Sequence, residues 1–370
     1  MAVAAQTEKS ISRSPRLDGA KRRALLIGAG GWPGVWVRTF IPAMQHRLEI
    51  TGLVDLNEEA LNRSGDLLNL SASRRFTDLE RAFAHTDTDL VLLCTPPRAR
   101  LRAIELAAAR GLPVLCEKPI ADSWDDSLAI YRLARETGIK LSVVQNYRYT
   151  TRIRTLKRVL DEGRLGQINY VVCRFAADYT IDTAGGAFRH QIPDAMIYEG
   201  AEHHLDMFRH LAGSDVAWVS GTQWNRPWST FGNNCCAMFL IEMENGIVGQ
   251  YEMTHITRGH ETGWHHEHYR IECEKGTVTV DADDVVRITE HLGKGYERVT
   301  EVAPDETTPA DHRAVIAEFL DWLDGGPAPL TAAPDNIRTA ALAFAAVEAS
   351  RTRRVVDVRA KLTEALGVRR

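Results

Sequence analysis

Between residues 24 and 146, short unbroken apolar runs alternate with longer stretches of helical periodicity. Ala24–Ala29, Glu49–Asp55, Asp89–Thr95, Pro113–Cys116 and Lys140–Gln145 each read as a strand. A strand that is apolar on both sides must be covered on both faces, which points to a parallel sheet with crossover helices. The stretches 98–110 and 123–137 supply such helices, with Gly111 and Gly138 standing where a left-handed C-cap would close each one. In the second, Trp124, Leu128, Tyr131, Leu133 and Ala134 share one broad face.

After about residue 150 the pattern changes. Strands are expected at 167–178, 217–224, 236–243, 247–254, 269–273, 277–280 and 285–289. Glu244-Asn245-Gly246 and Glu274-Lys275-Gly276 read as hairpin turns, so this second sheet is mostly antiparallel and open. Helices at 153–160, 199–211, 311–323 and 335–352 cover it, the last two returning to pack on the core. The expectation is an α/β domain over 23–146 and an α+β domain over 147–370, preceded by a disordered basic tail over 1–22. Arg22-Arg23 before Ala24–Ile27 imitates a twin-arginine export signal. The apolar run is short and flows into a glycine turn, so no export signal is read.

Composition excludes several functions. The 370 residues carry 45 basic and 49 acidic side chains, a net charge of −4, so no strong positive field exists to hold nucleic acid. No apolar run approaches the roughly 18 residues of a membrane-spanning helix. The six cysteines contain no CxxC pair, which fits a reduced, cytoplasmic protein.

Gly28-Ala29-Gly30-Gly31-Trp32-Pro33-Gly34 follows the first strand and opens a helix. Gly28 permits a tight turn, Gly30 lets backbone approach a pyrophosphate, and the next amides face the phosphates. Pro33 stands where a third glycine is usual, which the first helical turn tolerates because that amide is unpaired. Asp55 ends the second strand, where an acid would bond the adenosine ribose and repel a 2′-phosphate; it could equally cap the following helix. With no arginine at Leu56 or Asn57, NAD is favoured over NADP, which stays possible.

Cys94-Thr95-Pro96-Pro97, Glu117-Lys118-Pro119 and Gln145-Asn146-Tyr147-Arg148-Tyr149 follow in that order. Together with the glycine turn and Asp55, they resemble the Gfo/Idh/MocA family of nicotinamide-dependent sugar and polyol oxidoreductases, over about residues 22–357. The resemblance implies an N-terminal Rossmann domain, a homodimer or homotetramer, and a carbohydrate or polyol substrate. It implies that Lys118 contacts the reacting hydroxyl and the nicotinamide ribose, with a proline that is often cis. Asn146 matches a position near the nicotinamide amide, and Thr95 and Pro96 match a loop lining the cofactor. With Gly28, Gly30, Gly31, Trp32, Asp55, Glu117 and Lys118, these form the expected cofactor site.

The family's second signature is an aspartate followed four residues later by a histidine. Here Glu199 and His203 keep that spacing, which on an α-helix shares one face. The resemblance makes His203 the proton-transfer residue and Glu199 its orienter or a hydroxyl contact. Glu202 sits off that face and reads as solvated; Asp206 reads as a structural cap or a sugar contact. Tyr147, Arg148, Arg189, His190, His204 and Trp264 are the expected substrate contacts. His255, His260, His265, His266 and His268 invite a metal reading, but Trp264 occupies the position that HExxH requires for histidine, so no metal is expected. The expected activity is NAD-dependent oxidation of a secondary hydroxyl of a sugar, glycoside or cyclitol. Two alternatives stay open: redox-neutral glycoside cleavage or epimerisation using bound NAD, and a non-enzymatic dinucleotide-binding regulator.

Overall fold

The structure is a computed structural model, described here for residues 20–180, 190–194 and 196–367. The expected tail falls almost wholly outside the described residues, as does Arg189. β1 (Arg22–Ile27) leads through the glycine turn into α1 (Pro33–Val35), which runs through a π-wound segment (Trp36–Phe40) into α2 (Ile41–Ala43). Then come β2 (Leu48–Val54), α3 (Glu58–Leu67), β3 (Arg75–Phe76), α4 (Leu79–His85), β4 (Leu90–Leu93), α5 (Arg100–Ala108), β5 (Val114–Cys116), α6 (Trp124–Thr137) and β6 (Leu141–Val143). The six strands pair in parallel in the order β3-β2-β1-β4-β5-β6.

The apolar runs divide by strand alternation. Leu25 and Ile27 face a core with Val91, Leu93, Val114 and the α5–α6 side chains. Ala24 and Leu26 face the opposite core with Leu92, Trp36 and Phe40. Each fully buried leucine there contributes about 1.5–3 kcal/mol. α6 shows why its boundaries were readable: the Ser123 hydroxyl accepts from Asp126 N–H, and Gly138 closes the helix at φ 69°.

The second sheet has nine strands. α7 (Thr151–Asp161) precedes β7 (Ile168–Ala176); a π-wound segment (Met196–Ala201) runs into α8 (Glu202–Ala212). β8 (Val216–Trp224), β9 (Cys236–Met243), β10 (Val248–Thr254), β11 (His268–Cys273), β12 (Gly276–Val280), β13 (Val286–His291) and β14 (Glu297–Glu301) follow. After α9 (Asp311–Leu323) and α10 (Ala333–Thr352), β15 (Val356–Asp357) and α11 (Val358–Leu366) end the described chain. The order is β14-β13-β12-β11-β7-β10-β9-β8-β15, antiparallel throughout except where β7 and β10 run parallel.

One face of this sheet is buried. In β9, Phe239 and Ile241 point into the core while Met238 and Leu240 point out. α10 packs against both sheets: Ala341, Ala345 and Ala349 meet the second core, and Ile337 and Ala340 the first. Its alanine content follows from that double burial, since close approach on two sides leaves no room for larger residues. α9 places Val315 and Phe319 beneath the first sheet.

Candidate active site

The strand order reverses direction between β1 and β4, and ligands of open α/β sheets bind outside the strand ends at such a point. Gly28 lies there at φ 108°, and a Cβ on it would stand 3.1 Å from both the carbonyl carbon and oxygen of Cys94. Asp55 Oδ2 accepts the amides of Ala29 at 2.6 Å and Gly30 at 3.2 Å, while Oδ1 accepts Asn57 N–H at 2.8 Å. Asp55 therefore braces the glycine turn. It does not cap α3; Asn57 does, through Ala60 N–H at 3.0 Å. A carboxylate has about four acceptor positions, so a ribose hydroxyl could still be received. Gly31 is exposed, as is Pro96, and Thr95 Oγ1 is buried with no hydrogen-bond partner.

Glu117 is buried behind this turn. Its Oε1 accepts the indole N–H of Trp32 at 2.6 Å and of Trp36 at 2.8 Å, and its Oε2 accepts Lys118 N–H at 3.1 Å. Trp32 is thus tied back onto the Glu-Lys-Pro loop while 43% of it remains exposed. The Lys118–Pro119 peptide is cis. His312, stacked on Phe40 at 4.3 Å, brings Nε2 to 3.8 Å from Glu117 Oε1. Asp311 accepts from Asn146 Nδ2 and contacts His312 Nδ1 at 3.1 Å. Burial opposes ionisation of Asp311, but the hydrogen bonds from His312 and Asn146 outweigh it and hold its carboxyl down to about 2. Asp311 adopts φ 56°, a backbone conformation uncommon outside glycine and often found at functional sites. The Asp311–His312 pair was missed as part of the site. The signal was an adjacent acid and histidine opening a helix.

Lys118 crosses to the second sheet's helix, where its ammonium donates to the main-chain oxygen of Glu199 at 2.5 Å. Glu199 lies in the π-wound segment, so the regular i, i+4 geometry expected for Glu199 and His203 does not apply; the side chain is half-buried. Gly200 lies under Trp264: a Cβ there would be 2.9 Å from the Trp264 ring and 2.5 Å from Met253. His203 is buried with Nδ1 unpartnered, its ring stacked on Tyr147 at 4.3 Å and 14°. Burial, reinforced by the positive charge of Lys118, pushes His203 well below the usual imidazole range, so it is neutral at pH 7.

Several expected substrate contacts have other roles in the structure. His204 is a core residue, with Nδ1 at 2.8 Å from Tyr251 Oη and Nε2 at 3.1 Å from Glu267. Arg148 is buried and bonds Asp206 at 2.7 and 2.6 Å and Asp335 at 2.7 Å, so it ties α8 and α10 to the loop after β6. Asp206 is fully buried and its carboxylate is taken up by Arg148 and Thr339, which makes it a structural group. Tyr147 is also buried, bonding Glu267 at 3.1 Å and backing His203. His190 stacks on Phe231 at 4.0 Å and meets Thr230 Oγ1 at 3.1 Å. Trp264 alone of the described set stays half-buried, 4.4 Å from the Phe175 ring. Glu202, expected in solvent, is buried beside Gln145. Among the described residues no helix is long and apolar enough to cross a membrane. The six cysteines are free thiols.

Comparison with known proteins accords with this geometry. Residues 22–145 match the oxidoreductase family with an NAD-binding Rossmann fold, and residues 153–279 match the GFO/IDH/MocA C-terminal domain. The uncharacterised protein y4oX of Sinorhizobium fredii is 31% identical over 91% of this chain and 95% of its own length. D-apiose dehydrogenase of Rhizobium rhizogenes is 24% identical over 85% of this chain and 91% of its own. Inositol 2-dehydrogenase of Rhizobium meliloti is 25% identical over 74% and 82%. A crystal structure of an Agrobacterium radiobacter oxidoreductase with NAD+, L-tartaric acid and magnesium has the same fold, with a TM-score of 0.82, 23% identity and coverage of 92% of this chain and 99% of that one. Levoglucosan dehydrogenase with NADH superimposes at a TM-score of 0.77, 20% identity and coverage of 92% and 99%. With both halves matched in order, the chain belongs to the Gfo/Idh/MocA family and is an NAD-binding oxidoreductase.

Proposed function

We propose that the protein oxidises a secondary hydroxyl of a sugar, glycoside or cyclitol. The observation that carries this reading is that a lysine ammonium is brought onto the segment that leads into a buried, neutral imidazole: Lys118 Nζ lies on Glu199 O, four residues before His203. The residues present fit the cofactor. Gly28 leaves a cradle that a Cβ would fill, and Thr95 Oγ1 is an unused buried polar atom. Gly28, Gly30, Gly31, Trp32, Asp55, Thr95, Pro96, Glu117 and Asn146 would hold NAD, which when bound supplies the hydride acceptor.

The chain's own groups then divide the work. His203 accepts the hydroxyl proton; because burial keeps it neutral, it is ready to do so at neutral pH. Lys118 hydrogen-bonds the substrate oxygen and stabilises the alkoxide as it forms. Glu117, itself fixed by the Trp32 and Trp36 indoles, accepts the Lys118 backbone N–H, and Tyr147 stacks on the His203 ring. Glu199 contributes its carbonyl to Lys118, and Trp264 offers a flat face to the substrate ring. Lysine and histidine at these places favour an enzyme over a regulator. We also read the outer face of the second sheet, where Met238, Leu240 and Val248 stand exposed, as the contact between copies in an oligomer.

Purified protein with NAD or NADP should be assayed for reduced nicotinamide across sugars, glycosides, inositols and sugar acids. Formation with NAD on at least one secondary alcohol supports the reading. Silence across the panel with NAD shown to bind would reject it in favour of redox-neutral chemistry or regulation.

A further inference from the structure

Glu202 is a buried carboxyl for which the reaction above has no use. Only 1% of the residue is exposed. Its Oε1 accepts from Gln145 Nε2 at 3.0 Å, and its Oε2 is buried with no hydrogen-bond partner. An unsatisfied buried carboxylate oxygen costs about 1–3 kcal/mol or more, so a solvated glutamate would be preferred unless the charge were used. Glu202 stands three residues after Glu199, whose carbonyl receives the Lys118 ammonium, so the lysine head group is delivered to the adjoining rung of the same helical run. Around Glu202 lie Lys118 and Cys116 from the end of β5, Arg100 from α5, Gln145 after β6, and Tyr198 and Asp206 from its own helical run. From α10, Ala340, Ala343 and Phe344 line a small cavity together with it and Pro119.

We propose that Glu202 is a positioning residue for Lys118: a buried counter-charge that holds the lysine in its ammonium form at the reacting hydroxyl. This rests on the role given to Lys118 under the proposed function. Burial raises the Glu202 carboxyl to about 7, against the lowering influence of Lys118. Above neutral pH the Glu202 carboxyl is therefore ionised. Burial and then the Lys118 charge dominate at His203, and Glu202 is not among the leading influences there, so the effect of Glu202 is expected at the lysine end of the site.

The test uses the full chain with Glu202→Gln, which keeps the shape and the Gln145 neighbour but removes the charge. In the protein without nucleotide, Lys118 modification by an amine-directed reagent is followed against pH by mass spectrometry of its peptide. The midpoint should move down by about one pH unit or more, as expected on losing a close opposite charge. In the enzyme, the alkaline limb of the kcat/KM profile should move down by the same amount while the acid limb stays. Glu202→Asp, which keeps the charge, should restore the alkaline limb. A labelling midpoint unchanged in Glu202→Gln overturns the proposal. A midpoint that moves in a protein that oxidises no alcohol leaves the charge pairing standing and removes the catalytic reading instead. If Glu202→Gln does not fold, the reciprocal variant decides: Lys118→Met must raise the pH at which the Glu202 carboxyl protonates, read by infrared difference spectroscopy, and no rise overturns the proposal.

Discussion

Removing the Asp206 carboxylate should destabilise the second half of the molecule far more than loss of a surface ion pair. Asp206 is fully buried and accepts from Arg148 Nε at 2.7 Å, Arg148 Nη2 at 2.6 Å and Thr339 Oγ1 at 2.6 Å. Asp206→Ala strips all three bonds and leaves a buried guanidinium with Asp335 at 2.7 Å and the Leu330 carbonyl at 2.8 Å. Breaking one side of a buried pair costs about 3–5 kcal/mol, and the retained Asp335 contact puts the expected loss near the lower end. Urea unfolding followed by circular dichroism and tryptophan fluorescence measures it. The double change Asp206→Leu with Arg148→Met should recover most of the loss, because apolar replacement of both partners leaves no stranded charge. A single-variant loss under about 1 kcal/mol, the range of exposed pairs, would refute the structural role given to this pair.

Burial drives His203 well below the imidazole range, His255 to about 3 and His210 to about 4, so all three stay neutral in the fold while the unfolded chain protonates near pH 6.5. Their contribution to stability is full above that pH and declines below it by about 1.4 kcal/mol per pH unit for each histidine, so urea midpoints should fall from pH 7 to pH 5; equal midpoints would contradict this. Asp55→Ala removes the acceptor of three backbone amides around the glycine turn. NAD affinity should drop by about tenfold or more in a calorimetric titration, equivalent to about 1.4 kcal/mol, and an unchanged affinity would mean that the turn holds its shape without the acid. Leu240→Arg on the exposed sheet face should reduce the mass measured by light scattering to that of one chain, and retention of the larger species would locate the contact elsewhere.

What could be read in advance follows a physical division. Strands buried on both faces, such as Leu90–Leu93, are nearly uniform in hydrophobicity and announce themselves. So do helices closed by Ser123 and Gly138. β14 was not expected because Glu297–Glu301 is exposed along its length and carries no apolar face. β3 is two residues long, below the reach of any periodicity. The parallel pairing of β7 with β10 depends on contacts between distant segments, which local pattern does not encode. At the candidate site, local motifs singled out Lys118, His203 and the glycine turn. Roles that depend on which side of a helix is buried were misread. Glu202 and His204 both face the interior, because α8 is enclosed on nearly every side and has almost no exposed face. The regular spacing assumed for Glu199 failed at the π-wound segment, a backbone choice that residue identity alone does not signal.

The central claim is that Lys118 acts on the reacting oxygen while contributing little to NAD affinity. Turnover and NAD binding should be measured side by side for wild type and Lys118→Ala, on whichever polyol or sugar the panel identifies. The account predicts that kcat falls by about two to three orders of magnitude, the scale of removing one preorganised donor to a developing oxyanion, while the NAD dissociation constant changes by less than about tenfold. Turnover equal to wild type, or a loss explained wholly by failure to bind NAD, would contradict it.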